Sequence, residues 1–183
     1  MKMSYSVSKK LNDDDIYEFL ANGLQILEKN KISIPSSLSQ IYRRNSTNLN
    51  CYRHKKVFNK YAIIPEYCFG CYKIQIETRS VLDLIKLSIV FDQLSLIKDY
   101  TRKCMTELRP EVSGVYKGLI YFQDYQKAFE IAKGLDGVLH KNIGDGLTIK
   151  VKRGCSEFAQ AFPRYNEVKE SGNHPFKYKE NWR

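Results

Sequence analysis

Tyr72-Lys73-Ile74-Gln75-Ile76-Glu77 alternates apolar and polar side chains, the period of a strand with one face in a core and the other toward water. Ser80 follows as a helix cap, and Leu82, Ile85 and Ile89 recur on one side as far as Leu94. A second extended run, 103–108, stops at Pro110, and 111–114 supplies a turn. Residues 116–122 give a third strand. Asp124 then caps a helix that carries Ala128, Phe129, Ala132, Leu135 and Leu139 on one side. Gly144-Asp145-Gly146 ends it, and Leu147, Ile149 and Val151 alternate with Thr148, Lys150 and Lys152 in a fourth strand. Strand, helix, strand, strand, helix, strand is the order of the split βαβ unit. The sequence therefore predicts an α+β domain of ferredoxin-like βαββαβ type, with two helices on one face of an antiparallel sheet.

Upstream, Asn12 can cap a helix whose first turn is Asp13-Asp14-Asp15 and whose apolar side is Ile16, Phe19, Leu20, Leu24 and Leu27. Pro35-Ser36-Ser37 opens a shorter helical stretch through Leu38, Ile41 and Tyr42, and the polar run 43–50 is a linker. The expected organisation is an N-terminal helical segment and linker over 1–50, a Cys/His metal-binding loop over 51–71, the ferredoxin-like core over 72–157, and a tail over 158–183. Phe158, Phe162, Tyr165, Phe176, Tyr178 and Trp182 make that tail aromatic enough to dock on the core, among several lysines and arginines.

The chain carries 30 Lys and Arg against 20 Asp and Glu, a formal charge of +10. Such an excess favours nucleic acid as partner, although the same lysines also keep a protein soluble. Period-2 patterning gathers Lys73, Gln75, Lys117, Leu119, Tyr121, Thr148, Lys150 and Lys152 on the sheet face opposite the helices. Lys117-Gly118-Leu119-Ile120-Tyr121-Phe122 distantly resembles the strand signature of RNA-recognition-motif domains, which starts with a basic residue and Gly and continues with alternating aromatics. The resemblance spans six residues and departs at Leu119, where an aromatic is expected, and on the first strand, where Lys73 and Gln75 replace a stacking ring. It implies single-stranded RNA or DNA held by lysines with a base on Tyr121. A second basic surface is expected at the sheet edge, from Arg53, Lys55, Lys56, Arg102, Lys103 and Arg153. A protein-interaction subunit of a larger assembly, ribonucleoprotein included, fits the same composition.

The sharpest local signal is Cys51-Tyr52-Arg53-His54 followed by Cys68-Phe69-Gly70-Cys71. Zinc needs four ligands at tetrahedral corners, and a two-residue gap lets one turn supply two of them. The split βαβ order brings Cys155, just after the fourth strand, beside Cys71, just before the first, because neighbouring strands lie about 4.8 Å apart. Cys104 is two strands further away. The candidate ligands are thus Cys51, His54, Cys68, Cys71 and Cys155, with Zn2+ as metal and an iron-sulfur cluster as the alternative if four thiolates prevail.

Catalysis has weaker support. Lys103 beside Cys104 and Arg153 near Cys155 could favour thiolate, leaving a thiol-dependent or nucleic-acid-processing enzyme as an alternative. Yet His54, His140 and His174 fall in no nucleophile or metalloprotease motif, and no Gly-rich phosphate loop is present. An odd count of five Cys argues against a disulfide scaffold. No stretch approaches the ~20 apolar residues of a membrane span, and the N-terminus lacks the features of a secretory signal. No membrane partner and a cytoplasmic location are expected.

Overall fold

The structure, a computed structural model, describes residues 10–33, 40–43, 49–96 and 100–168. Asn12 caps α1 (Asp13–Lys29) through its side-chain oxygen, which accepts from the Asp15 backbone N–H at 2.7 Å, and Asp15 reaches back to complete a capping box. The helix is tethered to the body by Asp13, which receives the buried Lys86 ammonium at 2.5 Å. Strand β1 (Gln40–Arg43) comes next, followed by α2 (Cys51–Tyr61) and a 3-10 turn at Glu66–Phe69. Then follow β2 (Tyr72–Thr78), α3 (Val81–Gln93), β3 (Arg102–Thr106), β4 (Tyr116–Phe122), α4 (Tyr125–Asn142) and β5 (Thr148–Arg153). A short α5 (Ser156–Ala161) and a second 3-10 turn at Pro163–Asn166 follow the sheet. The helix caps at Ser80 and Asp124 are formed as their chemistry dictates, each side chain accepting from a backbone N–H three residues on.

The fold is α+β, with a single antiparallel sheet in the order β1-β3-β4-β2-β5. Its fifth strand was not expected: Ile41 and Tyr42 lie on β1, paired with Cys104 and Lys103, rather than on a helix. The reason is non-local. Strand β3 would otherwise be a sheet edge with unpaired backbone groups, and four residues arriving from far upstream satisfy them. The rest of that expected helix, and most of the linker, lie outside the described residues, as do 169–183.

Ile74 and Ile76 of β2, Cys104 of β3 and Ile120 and Phe122 of β4 form the main core with Leu87, Val90 and Phe91 of α3 and Ala128, Ile131, Leu135 and Leu139 of α4. Gly118 lets α3 sit against the β4 backbone, since a Cβ there would meet Leu87 Cδ2 at 2.5 Å. Arg102, expected at an exposed basic edge, is instead the largest fully buried side chain, donating through Nη1 to the Phe91 and Leu94 carbonyls. It caps the C-terminus of α3 with a cation, where the helix dipole favours one. Arg102→Met, which keeps much of the volume but removes the donors, is expected to lower stability by about 2–3 kcal/mol; an unchanged denaturation midpoint would rule this role out.

The second sheet face is not the open basic surface that alternation suggests. Lys73 is 7% exposed, Gln75 1% and Lys117 2%. A further layer made of α2, α5 and the segment after β3 lies over it. Glu157 of α5 ties that layer together, accepting from Lys55 of α2 at 2.7 Å and from Arg109. Period 2 establishes which residues share a face but carries no information on whether another layer covers it. The 51–71 segment is likewise no loop throughout, because its first half is α2. Among the described residues, no helix is long and apolar enough to cross a membrane.

Candidate functional site

Cys51 and His54 stand three residues apart in the first turn of α2, a spacing that puts both on one helix face. Cys68 lies in the Glu66–Phe69 turn and Cys71 just before β2. The chain after β5 comes alongside, with the Gly154 N–H donating to the Cys71 carbonyl at 2.7 Å. Gly154 has φ +50°, and a Cβ there would lie 2.1 Å from the Tyr165 hydroxyl, so this approach requires glycine. The Tyr165 hydroxyl in turn donates to the Cys68 carbonyl at 2.5 Å.

These constraints bring Cys51, His54, Cys68, Cys71 and Cys155 around one hollow of about 10 Å3, completed by Leu49, Tyr67, Tyr121 and Gly154. His54 Nδ1 is 3.6 Å from the Cys68 sulfur, and the His54 ring lies 5.5 Å from that of Tyr67. Cys104 is elsewhere, buried in the core between the sheet and α3. Among the described residues, no three His, Cys, Asp or Glu side chains are arranged as a formed metal shell.

Burial pushes the Cys51 and Cys68 thiols up and holds Cys71 at about 12, and the other cysteines of the group add to each shift as like charges. Each pair among Cys51, Cys68, Cys71 and Cys155 interacts in this way, as expected of four cysteines lining one hollow. Cys51, Cys68 and Cys71 therefore stay protonated by themselves at neutral pH, which is the opposite of an activated nucleophile. Nearby, burial and Lys73 draw the Lys103 ammonium down to about 8.

The remaining sequence candidates separate into two groups. Lys117 donates to Glu107 Oε2 at 3.2 Å and to the Ser113 carbonyl, Lys150 pairs with Glu77, and Lys55 with Glu157. Arg153 turns inward, donating to the Phe69, Tyr165 and Val168 carbonyls with its guanidinium 5.4 Å from both the Phe69 and Tyr165 ring centres. Tyr121 lines the hollow beneath the Lys103 ammonium rather than a solvent face. Lys73 and Lys152 line a separate cleft, and Arg53 is half-buried. Lys56, by contrast, is exposed on the outer side of α2.

Two further residues join Lys56 there. Tyr52 is 82% exposed and Lys60 is exposed, so Tyr52, Lys56 and Lys60 form a stripe at i, i+4, i+8. That spacing was present in the sequence, but it signals a surface only once 51–61 is known to be helical. Helix α2 contains four Lys and Arg and no acidic residue. Its inner side is held at the thiol hollow and, further along, by Phe58 packed edge-on against Phe158 at 4.8 Å. No protein-family model, curated protein or solved structure matches the chain.

Proposed function

We propose that this chain is a non-catalytic nucleic-acid-binding protein in which a metal ion, Zn2+, held by Cys51, Cys68, Cys71 and Cys155, fixes α2 against the sheet so that its outer face meets the phosphate backbone of single-stranded RNA or DNA. The observation that carries this reading is the two-sidedness of α2, which places Cys51 and His54 at the four-cysteine hollow and Tyr52, Lys56 and Lys60 toward solvent. A hollow of about 10 Å3 is the size of one water-sized sphere, which suits a single ion better than an iron-sulfur cluster. His54 would orient Cys68 from outside the shell, and side-chain rotation from the described placement would close the tetrahedron. A thiolate set relieved of mutual repulsion by a divalent cation makes folding depend on metal. The order β3-β4-β2-β5, with α3 and α4 packed together against it, agrees with a ferredoxin-like βαββαβ unit extended at one edge by β1. The buried sheet lysines favour α2 over the sheet as the contact surface.

Binding of a single-stranded oligonucleotide should weaken as salt rises, with a log-log slope of roughly −0.7 per phosphate neutralised. Replacing Lys56 and Lys60 together by Ala is expected to flatten that slope by about 1.4. Tyr52→Ala should weaken binding by ~1–3 kcal/mol while leaving the slope unchanged, if a base stacks there. Fluorescence anisotropy across a salt series measures all three. Lack of binding at about 50 mM salt, where the electrostatic contribution is large, would exclude this function and favour a protein-interaction subunit.

A further inference from the structure

Lysines of the covered sheet face and of the layer over it make ion pairs with carboxylates, and two on that face do not. Lys117 has Glu107, Lys150 has Glu77, and Lys55 in the covering layer has Glu157. Lys73 and Lys152 make no such ion pair among the described residues; Lys73 is 7% exposed and Lys152 half-buried, and Glu77, itself paired with Lys150, is the carboxylate that bears on Lys152 from a distance. They are also direct cross-strand partners on β2 and β5, and like charges placed opposite one another oppose sheet pairing. Burial, Lys150 and Lys73 push the Lys152 ammonium pKa down against the opposing pull of Glu77. Two cations facing one another, one buried and one half-buried, with no close ion-pair partner cost free energy that an anion joining them would offset.

Both lysines line one cleft of about 520 Å3 between β2–β5 and the covering α5, within the ~300–1,000 Å3 range of small-molecule sites. Arg153, Ser156, Gln160 and Asn166 add polar groups to its wall, and Glu111 is its acidic member. Tyr72 and Tyr125 also line it, their rings edge-on at 5.5 Å, and Tyr125 is 49% exposed. Cations lining a cleft that runs round the β5 edge to an accessible aromatic ring on the helix side match a ligand with a phosphate at one end and a planar ring at the other.

We propose that this cleft binds a nucleoside monophosphate group, the phosphate between Lys73 and Lys152 and the base against Tyr125. The cleft does not involve the outer face of α2, but Cys155 lines both it and the thiol hollow and Lys73 lies two residues from Cys71, so AMP titrations run with and without a chelator separate this site from the metal proposed above. The phosphate could belong to a free nucleotide or to the 5′ end of a strand.

Isothermal titration calorimetry of the full chain with AMP, adenosine and ribose 5-phosphate tests it. AMP is expected to bind at least about tenfold more tightly than adenosine, and ribose 5-phosphate to fall between them, since a tenfold ratio is what one modest charged contact supplies. Lys152→Ser, at a half-buried position, should weaken AMP about tenfold and leave adenosine unchanged. Lys73→Met should abolish the preference for AMP over adenosine and raise the melting temperature, because it removes a buried cation without a counter-ion. If Lys73→Met fails to fold, Lys152→Ser and Tyr125→Ala decide the matter. Equal binding of AMP and adenosine, no binding of AMP at millimolar concentration, or an unchanged affinity in Lys152→Ser would overturn the proposal. Displacement of AMP by 5′-phosphorylated but not 5′-hydroxyl trithymidylate identifies a strand terminus, displacement by neither identifies a free nucleotide, and displacement by both alike contradicts a terminal-phosphate pocket.

Discussion

If the unaltered protein carries the proposed single equivalent of zinc, Cys68→Ser is expected to purify without it and to melt about 10 °C lower or more. Cys68 is buried in the cluster of Ile64, Phe69, Phe158 and Tyr165, and its carbonyl receives the Tyr165 hydroxyl, so this turn joins the hollow to the second core. Structural zinc supplies about 10–16 kcal/mol in isolated zinc-finger peptides, where metal and folding are inseparable. Here the main core lies elsewhere, so a smaller share, roughly 3–5 kcal/mol, is the reasonable scale, and each kcal/mol moves the melting temperature of a chain this size by about 2–4 °C. Exchanging a buried thiol for a hydroxyl costs something by itself, about 1–3 kcal/mol. Two controls separate the effects. A chelator added to the unaltered protein should reproduce most of the loss, and Cys104→Ser should show the buried-hydroxyl cost with full metal content, because Cys104 sits in the main core away from the hollow. Elemental analysis and thermal melts measure these outcomes. Unaltered protein that is metal-free after anaerobic purification, and whose melt a chelator does not change, would end the metal proposal.

Glu107→Gln is expected to have the second-largest effect. Glu107 is a buried carboxylate held by Arg109 in a two-point pair, Nε to Oε1 at 2.8 Å and Nη2 to Oε2 at 2.9 Å. Lys117 donates to it from below and the Arg109 backbone N–H from its own strand end. The Arg109 guanidinium foremost, then Lys117, holds its pKa down at about 2. A carboxyl depressed in the folded state contributes stability that is present above its unfolded pKa of about 4.3 and is lost as pH falls from there toward 2. The amide variant keeps the shape but leaves the buried Lys117 without a counter-ion. Breaking a buried pair costs about 3–5 kcal/mol; Arg109 is 37% exposed, so solvent screening reduces the expected loss to about 2–3 kcal/mol. Urea titrations at pH 7 and across pH 2–5 should show lower stability at neutral pH and a flatter acid limb in the variant. Equal midpoints at pH 7 with parallel acid limbs would show that the cluster is only a surface feature.

Local patterning determined those parts of this protein whose signal lies within one element. Alternation at 72–77 and 147–152, helix caps at Asn12, Ser80 and Asp124, and the pairing of Cys51 with His54 and Cys68 with Cys71 are short-range chemistry, written in adjacent residues. The structure places strands, helices and the hollow-lining side chains accordingly. The entry of Cys155 into that group followed from strand order, because its position after β5 and that of Cys71 before β2 are adjacent in an antiparallel sheet. Other features depended on what packs against what. That the odd-numbered face of β2 and β4 is covered, that Arg102 is the cap of α3 instead of an edge cation, and that residues 40–43 complete the sheet are all contacts between segments distant in the chain. A lysine has the same period-2 signature whether it faces water, a glutamate far along the chain as Lys150 faces Glu77, or another lysine, since periodicity encodes direction and not the partner found there. For that reason the basic composition could be read from the sequence, while the tertiary structure alone separated the cations spent on internal pairs from Lys56 and Lys60 on α2 and from the unmatched pair Lys73 and Lys152.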